Sequence, residues 1–158
     1  MSSNTEAFGD RINNLINQAD ALVDIGQYEQ AQKSLRQALD IAPYNVEVLR
    51  QYAKVTANLG NLKEAFAIFD KAVEINPNNV DLLRNYGAVL TDAGDLEEAI
   101  IIFKKAIVIA PNDVKVLSSY SKALRSIDDI EGQFYLLERS MQIQPNNVKT
   151  QKSYVIVL

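Results

Sequence analysis

The chain has 158 residues, neither His nor Cys, a formal net charge of −4 and a pI of about 4.9. Without thiols there can be no disulfide, thiolate metal site or cysteine nucleophile, and without imidazole the commonest general base, the commonest metal ligand and every Ser-His-Asp arrangement are lost. The acidic balance argues against a nucleic-acid binder, and no apolar run approaches the roughly 20 residues that span a bilayer, so membrane insertion is not expected.

The N-terminus, MSSNTEAFGD, lacks the basic and apolar regions of a signal peptide, and a cytoplasmic location is expected. Residues 1–9 read as a polar segment, frayed up to about residue 6, with Ser3 and Glu6 as an isolated capping pair. From residue 10 the chain repeats itself. Pro43, Pro77, Pro111 and Pro145 stand 34 residues apart, Gly26, Gly60 and Gly94 share that interval, and so do Ala31, Ala65 and Ala99. A fixed period of this length marks a repeat array, in which each element packs mainly on its neighbours.

The first amphipathic helix carries Ile12, Leu15, Ile16, Ala19, Leu22 and Val23 at spacings of three and four, and stops at Gly26. A second helix over Tyr28–Ile41 ends before Pro43, and Asn45 caps the next. The units fall at 12–45, 46–79, 80–113 and 114–147, with a terminal helix at 148–158. Asn79, Asp113 and Asn147 repeat the Asn45 cap, and Asn61 with Glu64 and Asp95 with Glu98 read as capping boxes at the second helix of their units. The fourth unit departs from the pattern. Asp128 replaces the turn glycine, Gln133 and Ser140 replace alanines, and Gly132 replaces Gln30, Glu64 and Glu98, which predicts looser packing. In the terminal helix Tyr154, Val155 and Leu158 are expected to bury against the fourth unit, and the VIVL ending suggests a boundary within a longer array or a contact surface.

These columns resemble the tetratricopeptide repeat over about residues 10–158: small residues at Ala53, Gly87 and Ser121, Gly60 and Gly94 at the turns, Ala65, Ala72, Ala99 and Ala106 on the second helices, and Pro at each end. Leu15, Leu49, Leu83 and Leu117 occupy the column in which the family often carries Trp. The resemblance implies an all-α, right-handed superhelical solenoid of antiparallel helix pairs. It also implies a protein-binding scaffold whose concave face is lined by the first helix of each pair.

On that implied face one column reads Asn17, Gln51, Asn85, Ser119 and Ser153. Amides there can hold the backbone of an extended peptide, and the column partly resembles the asparagine ladder of repeat arrays attached to O-linked N-acetylglucosamine transferases. The competing view is that amides are simply tolerated on a solvated face. A second set is basic, with Arg50, Lys54, Arg84, Lys115, Lys122, Arg125, Lys149 and Lys152 against Glu47, Asp81 and Asp92, and residues 114–158 hold six Lys or Arg against four Asp or Glu. A locally basic groove attracts an acidic peptide or a chain-terminal carboxylate. Arg50, Lys54, Asn85 and Lys115 fall on four columns of the family's carboxylate clamp, but Ser119 stands where the clamp needs a base.

On the implied convex face, Ile101, Val108 and Tyr135 form a small apolar patch, a second binding or self-association surface unless inter-repeat contacts cover it. Acid pairs such as Asp128–Asp129 and Glu97–Glu98 sit where capping explains them, and no Gly-rich phosphate loop occurs, so no catalytic site, cofactor or metal is expected. The expected function is a non-enzymatic scaffold that binds an extended, acidic protein segment. Two alternatives stand beside it: the recognition domain of a larger enzyme such as a glycosyltransferase, and a self-assembling repeat protein that associates through its C-terminal helix or the convex patch.

Overall fold

The structure is a computed structural model that describes the backbone of residues 2–157 and the side chains of residues 6–156. Among the described residues there are nine α-helices and no strand: α1 (Ser2–Asp24), α2 (Tyr28–Ile41), α3 (Val46–Asn58), α4 (Leu62–Ile75), α5 (Val80–Ala93), α6 (Leu96–Ile109), α7 (Val114–Ser126), α8 (Ile130–Ile143) and α9 (Val148–Val157). The first eight form four antiparallel pairs, joined within each pair by a tight turn.

Those turns have a common cause. Gly26, Gly60 and Gly94 have φ of 74°, 84° and 85°, the left-handed region in which glycine meets no Cβ penalty. Asp128 takes the same role at φ 57°. The first helix of a pair begins on a side-chain cap. Asn45, Asn79 and Asn147 accept from the amides of Val48, Leu82 and Thr150 at 3.1, 2.9 and 3.2 Å, and Asp113 accepts from Lys115 and Val116 at 2.8 and 3.0 Å.

The capping boxes expected at Asn61–Glu64 and Asp95–Glu98 do not form, because neither Asn61 nor Asp95 makes a side-chain cap bond. The backbone leaves the glycine turn at ψ 61° and 70° there, against 104–110° at the capped first helices. Asp129, at ψ 78°, does reach the amide of Gly132 at 2.9 Å.

The chain divides into two compact halves, Met1–Pro77 and Asn78–Leu158. In the N-terminal half, Ala19, Leu35, Ala38, Val48 and Tyr52 form a core in which α1 packs on α2, α2 on α3 and α3 on α4. Fully buried alanines let paired helices approach closely. In the C-terminal half, α5 packs on α6 and α7, α6 on α7, α7 on α8, and α8 on α9. Its core is built on Leu82, Leu83, Phe103, Leu117 and Leu137, all 1% exposed or less.

Two expectations change. First, residues 2–9 are helical rather than a frayed polar segment. Phe8 continues the stripe of Ile12 and Leu15 one turn earlier, and Gly9 is tolerated within the helix, although Phe8 itself is 50% exposed. The Ser3 side chain and Leu158 lie outside the described residues. Second, Val155 is exposed, and α9 instead anchors through Tyr154, whose ring lies 5.1 Å from that of Phe134, and through Thr150, 1% exposed. The polar residues that replace alanine in the fourth pair are enclosed. Gln133 and Ser140 are 5% and 0% exposed, and the Ser140 hydroxyl lies 3.4 Å from that of Thr150.

Candidate protein-binding site

Within the C-terminal half, the N-terminal ends of α5, α7 and α9 border a cleft of about 570 Å³. α7 contributes Lys115, Ser118 and Ser119, α9 contributes Lys149, and the turns before them contribute Asn112, Asp113, Gln144 and Asn147. Three of the residues singled out in the sequence, Lys115, Ser119 and Lys149, thus line one cleft.

The charges in this cleft are unevenly committed. Asp113 is occupied by the two α7 amides it caps, and Asp81 forms an ion pair with Arg84 at 3.0 Å. The ammonium groups of Lys115 and Lys149 are exposed and have no ion pair among the described residues. The cleft therefore presents two uncompensated cations beside neutral hydroxyl and amide groups, a set that complements carboxylates and peptide backbone.

The other predicted bases are differently placed. Arg50 is held in a bidentate pair by Glu47, one turn away on α3, and Lys122 is bound by Asp92 of α5 at 2.7 Å. Arg84 has its Nε enclosed without a hydrogen-bond partner. Lys54 is exposed on α3. Acids stand three residues before Arg50 and Arg84 in the sequence, and that spacing on a helix is the signal for pairing.

The amide column is also largely committed. Gln51 donates to Glu47 Oε1 at 3.0 Å, and Asn85, 6% exposed, donates to the Asp81 carbonyl of its own helix at 2.5 Å. Asn85 therefore departs from the outward amide expected of it, because a short side chain on an enclosed face satisfies itself on the preceding turn. Asn17 is exposed and Ser153 half-buried.

On α6 and α8, Ile101, Val108 and Tyr135 are 46%, 82% and 59% exposed. Tyr135 lines a second cleft, of about 460 Å³, whose α6 wall is Ile100 and Ile107 rather than Ile101 and Val108. Tyr120 lies at this cleft, and burial, followed by the Asp129 carboxylate, raises its hydroxyl above the ordinary tyrosine range. Among the described residues no cluster of three His, Cys, Asp or Glu could hold a metal ion, and no helix is long and apolar enough to cross a membrane.

Two tetratricopeptide repeat profiles match residues 16–80 and 57–123. The chain belongs to the tetratricopeptide repeat family. No curated protein matches it. Among solved structures it is similar to pilF of Pseudomonas aeruginosa, at 21% identity and a TM-score of 0.85 over 96% of this chain and 69% of that one. It is also similar to MamA of Desulfovibrio magneticus RS-1, at 21% identity and a TM-score of 0.75 over 95% of this chain and 85% of that one. An O-GlcNAc transferase of Thermobaculum terrenum matches at 23% identity and a TM-score of 0.75 over 85% of this chain, which spans 26% of the transferase. At such identities the likeness is one of fold. The tetratricopeptide repeat is a protein-interaction module, and this chain is a scaffold of that kind.

Proposed function

We propose that the chain is a non-catalytic binding scaffold that holds an extended, acidic segment of a partner protein in the cleft bordered by α5, α7 and α9. The observation that carries this reading is the pair of uncompensated cations, Lys115 and Lys149, on a cleft whose own carboxylates are already engaged. A segment carboxylate placed between the two ammonium groups gains attraction without displacing an internal ion pair. The Ser118 and Ser119 hydroxyls and the Asn112 amide supply donors and acceptors for the segment's backbone. Arg50, Arg84 and Lys122, already neutralised, contribute less.

The test is fluorescence anisotropy of the full chain with a labelled nine-residue peptide of alternating Asp and Gly. The expected result is binding that weakens steadily as salt rises, because exposed charges are screened within about 10 Å at 0.1 M ionic strength. A matched Lys and Gly peptide should not bind. Comparing a free with an amidated C-terminus separates recognition of a chain terminus from recognition of side-chain carboxylates. Equal binding of the acidic and basic peptides would overturn the reading.

A further inference from the structure

The cleft bordered by α6, α7 and α8 has an equivalent 68 residues earlier in the chain, and the two are finished differently. In the N-terminal half the position is closed by polar side chains. Gln32 donates to the Thr56 hydroxyl at 3.1 Å, and Arg36 donates to the Tyr52 hydroxyl at 3.0 Å. In the C-terminal half the first pair becomes Ile100 and Leu124, and Lys104 and Tyr120 replace the second. No hydrogen bond joins Lys104 to Tyr120, and the Tyr120 hydroxyl has no hydrogen-bond partner among the described residues. Glu64 becomes Gly132, so no side chain projects from that position of α8, and the α8 wall is Tyr135, Leu136 and Arg139. An ideal Cβ at Gly132 would lie 2.6 Å from Asp129 Oδ2 and 2.9 Å from Leu124 Cδ1. The outcome is an apolar slot of about 460 Å³ where the N-terminal half has a hydrogen-bonded plug.

The charges around the slot say what fits it. Lys104 and Arg139 border it, and Arg139 commits one nitrogen to Asn112 Oδ1 at 3.1 Å, leaving its other donors available. The one carboxylate in the lining, Asp129, is held by the Gly132 amide. We propose that this slot is a second docking site, for a partner-protein segment that presents a bulky apolar side chain next to a carboxylate. The apolar group lies against Ile100, Ile107 and Leu124. The carboxylate sits between Lys104 and Arg139 and accepts from the Tyr120 hydroxyl. A second copy of this chain docking through α6 or α9 is the poorer occupant. The most exposed apolar residues of its α6 and α9 lie beside cations, Val155 and Ile156 with Lys152, and Ile101 and Val108 with Lys105, so docking through them would set like charges together. Ile25 beside Asp24 and Ile130 beside Asp129 are the self-docking elements that the solution mass below tests.

The test is an amide and methyl NMR titration of the full chain with the acetylated, amidated peptide Gly-Gly-Phe-Glu-Gly. Two control peptides carry Ser for Phe or Lys for Glu. The expected result is a weak, saturable shift of Ile107, Leu124 and Tyr135 with the first peptide only. Lys104→Glu, on an exposed residue that leaves the fold intact, should weaken that binding about tenfold, or roughly 1.4 kcal/mol. The triple variant Ile100→Gln, Lys104→Arg, Leu124→Thr installs the N-terminal plug and should abolish it, while leaving the alternating Asp and Gly peptide bound at Lys115 and Lys149. Failure of that second peptide would count against the α5–α7–α9 cleft alone. The slot proposal is overturned by any of three results: no shift up to about 5 mM peptide, equal shifts with the Lys control, or a solution mass that rises with concentration in the parent and stays monomeric in Tyr135→Glu.

Discussion

The two halves of the chain use one repeat to different ends. In Met1–Pro77 the groove beside α2, α3 and α4 is closed by the Gln32–Thr56 and Arg36–Tyr52 hydrogen bonds, and Arg50 is neutralised by Glu47. In Asn78–Leu158 the equivalent groove is an open apolar slot, and Lys115 and Lys149 face a cleft without internal partners. Backbone geometry is shared, since the turns and first-helix caps recur at the same offsets. What differs is whether paired side-chain columns satisfy each other or are left for a ligand. The scaffold repeats along the chain, and availability for binding is set by a handful of substitutions on top of it.

The comparison breaks most severely at Gly87, which occupies the column of Ala53 and Ser121. A Cβ on Gly87 would lie 2.8–2.9 Å from the ring of Phe103, itself fully buried and stacked on Tyr120 at 5.5 Å between centroids. Gly87→Val should therefore cost about 3 kcal/mol, because neither ring can give way without disturbing the core of the C-terminal half. Urea denaturation of the full chain measures it. A midpoint within error of the parent would show that the Phe103 ring moves freely.

A smaller effect is expected at the turns. Gly94 has φ 85° with open space around its Cβ position, so Gly94→Val should destabilise through backbone strain alone, by more than about 1 kcal/mol. Asp128, which holds the left-handed conformation with a side chain, supplies the converse. Asp128→Gly should be neutral or stabilising by up to about 1 kcal/mol. Thermal melts of the two variants should move apart, and shifts in the same direction would remove the shared-turn assignment.

Within the C-terminal half, the fourth pair should open before the third. Its enclosed Gln133 and Ser140 replace Ala99 and Ala106, and Thr150 stands in a column otherwise held by Val48, Leu82 and Val116. Native-state hydrogen exchange should show α8 and α9 exchanging ahead of α5 and α6. The double variant Ser140→Ala, Thr150→Val removes both hydroxyls of the buried pair at once and should raise stability slightly, by under about 1 kcal/mol. Equal protection throughout, with no gain from the double variant, would mean that the polar pair is as well packed as the alanines it replaces.

The helices are legible in the sequence because each boundary carries a local cause: a glycine with positive φ, an Asn or Asp cap, a proline that forbids continuation. The column of fully buried alanines is legible for the same reason, since alanine recurs there in the first three units. What the sequence withholds is pairing. Asn61 and Asp95 satisfy the capping pattern, but neither side chain makes a cap hydrogen bond. Asn85 is an amide on the expected column, yet it is buried and bonded to its own helix. The pairing of Lys122 with Asp92, 30 residues earlier on another helix, follows no local spacing and appears only in the structure. The slot at Tyr120 is out of reach of sequence reasoning because it depends on residues of three helices that come together only once the register between repeats is known.

The claim that open, uncompensated charge rather than charge as such marks the binding surface is tested most directly by two matched reversals in the full chain. Lys115→Glu with Lys149→Glu alters the unpaired cations, and Arg50→Glu with Arg84→Glu alters the paired ones by the same net charge. Anisotropy with the alternating Asp and Gly peptide should show at least a tenfold loss for the lysine pair, about 1.4 kcal/mol, and a much smaller loss for the arginine pair. A larger loss from the arginine pair, or equal losses from both, would contradict the account.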